Sequence, residues 1–150
     1  MTSYAPLLAK EKHTQWSPDL IYFNNREVKP TTGYCVQKLY GQNAGSHYIP
    51  SQIILDNQDN RVKLRIGSSI VRDSKTGDVI VKLVNLLPVS VETEIQLPGI
   101  GSVQPSAVRT VLAGAPESTP LPVTDTIEVG VNFKQQLPAY SFTVIRLKTK

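Results

Sequence analysis

Residues 79 to 87, Val-Ile-Val-Lys-Leu-Val-Asn-Leu-Leu, are apolar at almost every position, the pattern of a strand buried on both faces in the middle of a sheet. The next segment behaves differently. Val89, Val91, Thr93, Ile95 and Leu97 alternate with Ser90, Glu92, Glu94 and Gln96 before Pro98-Gly99 closes the run, which predicts a half-buried strand. Upstream, Val62, Leu64 and Ile66 alternate with Arg61, Lys63 and Arg65, so residues 62 to 72 are expected to form a strand with these cations on its solvent face. Asp73-Ser74-Lys75-Thr76-Gly77 then supplies the turn-forming residues of a hairpin. Three further strands are predicted at Val108 to Leu112, at Ile127 to Phe133 and at Tyr140 to Leu147, with the Pro-rich segment 114 to 125 as an exposed connection. Six or seven short strands with turn signals between them and no helical period predict an antiparallel β-sandwich over residues 52 to 150.

The first 51 residues read otherwise. Tyr4 to Ala9 and Leu20 to Phe23 are short apolar runs, and Pro30-Thr31-Thr32-Gly33 precedes Tyr34, Val36, Leu39 and Tyr40 with Gly41 after them, a start and stop for a helix. Seven of the ten aromatic residues lie before residue 52. A boundary is therefore expected near Ile49-Pro50-Ser51, with a strand, loop and helix ahead of it. Such a unit cannot bury a strand by itself, so it is expected to dock on something.

The 150 residues are 40% hydrophobic and 19% charged, enough for a globular core. The net charge of +4 is spread along the chain, without the clustered cations and interleaved aromatics of a nucleic-acid surface. Nucleic-acid binding is therefore not expected. No apolar run approaches the ~20 residues of a membrane-spanning helix, so no membrane association is expected. Cys35 is the only cysteine and has no internal partner, and Met1 to Pro6 lacks the basic and apolar regions of an export signal.

The inventory for chemistry is thin. His13, Cys35 and His47 match no zinc spacing, and no metal site is expected. Asp56 to Arg61 resembles a calcium loop faintly, but Gln58 and Arg61 stand where a ligand and a glycine belong, so it reads as a turn. Cys35 reads as an inert buried thiol on a helix, and no glycine-rich phosphate loop occurs. Of six glutamates only Glu92 and Glu94 are close, two apart on one side of a strand, the arrangement of a solvated face. Asp19, just after Pro18 and close to Trp16, reads as a cap or brace for its loop, with a place at the mouth of a site as the alternative.

The segments Tyr4-Ala5-Pro6-Leu7, Trp16-Ser17-Pro18-Asp19-Leu20-Ile21, Tyr34-Cys35-Val36-Gln37-Lys38-Leu39 and Leu137-Pro138-Ala139-Tyr140-Ser141-Phe142-Thr143-Val144 together resemble the C-terminal third of α-L-arabinofuranosidases of glycoside hydrolase family 51. Cys35 stands where that family often has a second aromatic. The resemblance implies that residues 1 to 51 are the last strand, loop and helix of a (β/α)8 barrel and residues 52 to 150 a jelly-roll-like sandwich packed on it. A retaining glycosidase needs two carboxyl groups about 5 Å apart, and the segments that carry them in the family have no counterpart here. The resemblance therefore implies no catalytic residue in this chain, no cofactor and no metal. Its partners would be the missing catalytic barrel and arabinose-containing oligo- or polysaccharides with terminal α-L-arabinofuranosyl groups; homo-oligomerisation of the parent enzyme stays open.

Barrel function gathers on loops after the C-terminal ends of strands, which makes Trp16, in the loop after Tyr4 to Ala9, a candidate sugar-stacking residue. Packing beneath Pro18 and Leu20 is the alternative for this ring. An alternative function for the whole piece is an autonomous carbohydrate-binding β-sandwich. The absence of Trp and the single Tyr in residues 52 to 150 count against that.

Overall fold

A computed structural model describes residues 4–149, and the chain divides between Gln42 and Asn43 into two compact units. In the first, β1 (Leu8–Lys10), β2 (Ile21–Phe23) and β3 (Val28–Pro30) form a three-stranded sheet in that order. β1 runs parallel to β2, with Leu8 opposite Ile21, and β3 returns antiparallel, with Pro30 opposite Ile21. β1 begins later than the apolar run suggests. Pro6 has no N–H to give to a ladder, although its carbonyl and that of Leu7 accept from Leu20 and Ile21 at 3.3 and 3.0 Å. β3 carries no apolar signal of its own. It exists because the Asn24 side-chain oxygen accepts from the amides of Arg26 and Glu27 at 2.9 and 3.1 Å and so folds a tight turn.

Helix α1 (Thr32–Gln42) follows. Thr31 caps it: its carbonyl accepts from the Cys35 amide at 3.1 Å, its hydroxyl oxygen accepts from Tyr34 N–H at 3.4 Å, and the hydroxyl donates to the Leu20 carbonyl at 2.7 Å. Cys35 and Leu39, four residues apart, form the buried stripe. Gly41 does not stop the helix. A glycine in the last turn costs only about 1 kcal/mol of propensity, and the helix continues to Gln42.

The second unit contains β4 (His47–Ile49), a helical turn α2 (Asn60–Lys63), β5 (Ile66–Arg72), β6 (Val79–Asn85), β7 (Val91–Gln96), β8 (Val103–Ala113), β9 (Val123–Glu128), β10 (Asn132–Leu137) and β11 (Ser141–Thr149). Six strands make one antiparallel sheet in the order β4-β5-β6-β11-β8-β9, and β7 and β10 make a second, two-stranded one. His47–Ile49, which the sequence reading leaves in the first half, pairs with β5. The approach to β4 requires a glycine: Gly45 has φ +68°, and a Cβ there would lie 2.5 Å from Val71 Cγ2.

The apolar core is shared by the two sheets. Val79, Val81 and Leu83 of β6, Ile145 and Leu147 of β11 and Ala107 of β8 meet Ile95 of β7, Leu97 just beyond it and Leu137 of β10 in one buried cluster. This arrangement is consistent with a β-sandwich. β6 is buried along almost its whole length, as the apolar run from Val79 predicts, but it ends at Asn85 and Leu86 is 51% exposed; β11 is buried in the same way. Each such side chain contributes about 1.5–3 kcal/mol relative to exposure.

Two expected strands are redrawn. Residues 60–63 are a turn of helix and not the start of a strand, because Asp59 caps it, its carboxylate accepting from the Arg61 amide at 2.8 Å. Arg61 also pairs with Asp59 at 2.7 Å, so Arg61, Lys63 and Arg65 do not form one strand face, and Leu64 is 85% exposed. The expected strand 127 to 133 is two strands in different sheets. The chain crosses between sheets at Gly130: Val129 N–H donates to the Pro105 carbonyl at 3.0 Å, whereas the Val131 carbonyl accepts from Leu97 N–H at 2.8 Å. Period-2 alternation alone cannot register a change of sheet.

Candidate functional site

The loop between β1 and β2 places the one tryptophan. Trp16 is 69% exposed, whereas Leu20 and Asp19 at the end of the same loop are 3% and 0% exposed. The loop is tied down at its far end. The Tyr4 hydroxyl donates to the Pro18 carbonyl at 3.2 Å, and Asp19 N–H donates to the Tyr22 phenol oxygen at 2.8 Å. Asp19 braces the loop through its side chain too, Oδ2 lying 3.1 Å from Thr14 Oγ1.

A second cluster escaped the sequence reading because Glu11 lies 13 and 18 residues from its partners Asn24 and Lys29. Lys29 Nζ stands 2.8 Å from Glu11 Oε1 and 3.0 Å from Glu27 Oε1, and Asn24 Nδ2 donates to Glu11 Oε2 at 2.8 Å. The strand register could have found it, since Glu11 follows β1 and its amide reaches the Phe23 carbonyl at 2.9 Å. The hydrogen bond to Lys29, and then that to Asn24, hold both glutamates below their ordinary range, and the two glutamates push Lys29 above its own. A general acid needs the opposite shift, so this cluster keeps two carboxylates ionised and is not an acid/base pair. The stability Lys29 adds is present above the ordinary glutamate range and is lost as pH falls through the depressed values. Thermal melts of the wild type and Lys29→Met should therefore differ modestly at neutral pH, the contact being exposed, and converge in acid. A gap that widens in acid would contradict the assignment.

The remaining candidates are apart from each other. Glu92 pairs with Lys134 at 3.1 Å and Glu94 accepts from Gln96 at 2.8 Å, all exposed, so this is the solvated face that the alternation predicts. Cys35 is a buried free thiol, and His47 Nδ1 lies 3.0 Å from the Ser46 hydroxyl. Lys82, 3% exposed in the middle of β6, is pulled below its ordinary range by burial. Arg146 joins Asp78 at 2.9 Å and reaches Asp73 at 3.7 Å. Arg109 pairs with Asp125 and donates to Gln135 at 2.9 Å; both arginines link strands to their neighbours.

Three aromatic rings are exposed among the described residues, Trp16 at 69%, Tyr48 at 65% and Tyr40 at 40%, and of these Trp16 lies in the loop between β1 and β2. Residues 1–141 match the model of the α-L-arabinofuranosidase C-terminal domain family, and the chain belongs to that family. It is 50% identical over 52 residues, 35% of its length, to an extracellular exo-α-L-arabinofuranosidase of Streptomyces chartreusis, and 33% identical over 104 residues, 68% of its length, to a probable α-L-arabinofuranosidase A of Aspergillus terreus. It spans only 6% and 15% of these relatives. Among solved structures, an arabinose-bound family 51 α-L-arabinofuranosidase superposes with a TM-score of 0.85 at 32% identity, covering 99% of this chain and 24% of the other. The fold also recurs in the α-L-arabinofuranosidase of Thermotoga maritima, with a TM-score of 0.72 at 14% identity over 87% of this chain and 32% of that one.

Proposed function

We propose that this chain is the C-terminal portion of a retaining α-L-arabinofuranosidase that removes terminal non-reducing α-L-arabinofuranosyl groups from arabinose-containing polysaccharides. The observation that carries the reading is the family match over residues 1–141. In this reading the second unit is a jelly-roll-like accessory sandwich. The first unit, with its parallel β1–β2 pair and the following helix, completes a (β/α)8 barrel whose other strands hold the two carboxyl groups. Its partners are that barrel and the arabinose-containing substrate. The autonomous carbohydrate-binding reading has less behind it: the second unit has no tryptophan and, among its described residues, a single strongly exposed ring, Tyr48 at 65%, whereas a sugar-stacking platform sets several flat rings side by side.

Trp16 is the residue of this chain assigned to substrate. A large apolar ring left 69% exposed on a loop after a strand suits stacking against the C–H face of a furanose or the next sugar. In the complete enzyme, Trp16→Ala should lower kcat/KM by about tenfold or more, the loss of one aromatic contact of ~1.4 kcal/mol, and leave Tm nearly unchanged. A large fall in Tm with normal kinetics would make Trp16 a loop anchor and remove it from the site.

A further inference from the structure

We infer that Asp19 is a positioning residue that acts through the Thr14 hydroxyl to hold the β1–β2 loop with the Trp16 indole projecting outward. Asp19 is 0% exposed and Trp16, three residues before it, is 69% exposed. One hydroxyl joins them. Thr14 Oγ1 lies 3.1 Å from Asp19 Oδ2 and accepts from the Trp16 amide at 3.1 Å. Its single proton has two acceptors within reach, Asp19 Oδ2 and the Trp16 carbonyl at 3.0 Å. The carboxylate is the stronger of the two, so Trp16 N–H, Thr14 O–H and Asp19 form a directed chain of hydrogen bonds. Thr14 is β-branched and stiff at χ1, which suits it to transmit a position.

The base of this chain is fixed independently. The Asp19 amide is held by Tyr22 Oη at 2.8 Å and the next amide, that of Leu20, by the Pro6 carbonyl at 3.3 Å. The carboxylate is an expensive choice for a mere brace, because Oδ1 is buried and makes no hydrogen bond among the described residues. A buried charge with so little compensation works against stability. Its use at this position is explained if it sets the geometry of what it holds. The importance of the device for catalysis rests on the reading of Trp16 as a sugar contact; the geometry of the device does not.

The single tryptophan makes this measurable on the 150-residue chain by time-resolved fluorescence anisotropy, which reads the picosecond-to-nanosecond motion of the indole. In Asp19→Leu and in Thr14→Val the amplitude of the fast component should rise about twofold, as expected when an exposed ring loses a charge-assisted tether. Thr14→Ser, which keeps the hydroxyl, should behave as the wild type. The Tm of Asp19→Leu should be equal to or above that of the wild type, so that order at Trp16 and global stability move apart. A fast component unchanged in both Asp19→Leu and Thr14→Val, or a Thr14→Ser variant as loose as Thr14→Val, overturns the inference. If the tether behaves as expected while Trp16→Ala leaves kcat/KM of the complete enzyme intact, the sugar-contact reading falls and the positioning role stands.

Discussion

Purified alone, the 150-residue chain should release no aglycone from an aryl α-L-arabinofuranoside above the buffer background. Cleavage with retention needs one carboxylate to attack and a second carboxyl, about 5 Å away and raised in pKa, to protonate the leaving oxygen. The carboxyl groups that stand close together among the described residues are engaged in other contacts: Asp73 and Asp78 both reach Arg146, at 3.7 and 2.9 Å. Glu11 and Glu27 share Lys29 and are held ionised by it. Glu92 and Glu94 stand on the exposed face of β7, bound to Lys134 and Gln96. Asp19 is buried beneath its loop, out of reach of any substrate. The rate is thus expected to lack the whole contribution of general acid and nucleophile, a loss of many orders of magnitude. Turnover that survives purification and disappears in Glu92→Ala or Glu94→Ala would show that the chemistry had been assigned to the wrong residues.

The largest stability effect is expected at Asn85. This side chain, 0% exposed at the end of β6, directs Nδ2 at the carbonyls of Val89, Pro138 and Leu137 at 2.9, 2.8 and 3.4 Å, while its oxygen accepts from Leu87 N–H at 3.0 Å. One amide thus fixes the turn that leaves β6 and the turn between β10 and β11. Asn85→Asp keeps the shape but replaces the donor with a charged acceptor facing three carbonyl oxygens. It should destabilise the chain by about 3–5 kcal/mol, the range for an uncompensated buried charge, lowering Tm by roughly 10 °C for a protein of this size. Asn85→Ala, which leaves the carbonyls unpaired without adding charge, should cost less, about 2–3 kcal/mol. Equal and small shifts in both variants, measured in urea and thermal melts, would contradict this assignment.

Much of the second unit was legible because its strands carry strong period-2 or unbroken apolar signals. The 79 to 87 run maps onto β6, the alternation from Val89 onto β7 and the final run onto β11. Where the reading failed, a short-range polar interaction outweighed the pattern: the Asp59 cap turned 60–63 helical, and the crossing at Gly130 split one apparent strand between two sheets. Asn85 drew no notice inside the apolar run 79 to 87, because its importance lies in carbonyls more than fifty residues away in the chain. In the first unit, the helix start at Thr31 was readable from local chemistry. The Glu11–Lys29–Glu27 cluster and the Thr14 link to Asp19 were not, since each depends on the register of β1 against β2 and on the path of the loop between them. Trp16 was singled out from its position alone, and its exposure is what the structure adds.

The central claim, that this chain works as part of an α-L-arabinofuranosidase, is tested most directly by immunoprecipitation from the source cells with an antibody raised against residues 43–150, followed by assay of the washed beads with an aryl α-L-arabinofuranoside. The account predicts that hydrolysis comes down with the antigen, on a polypeptide several times longer than 150 residues. Beads that carry the antigen in full yield and show no α-L-arabinofuranosidase activity would contradict it.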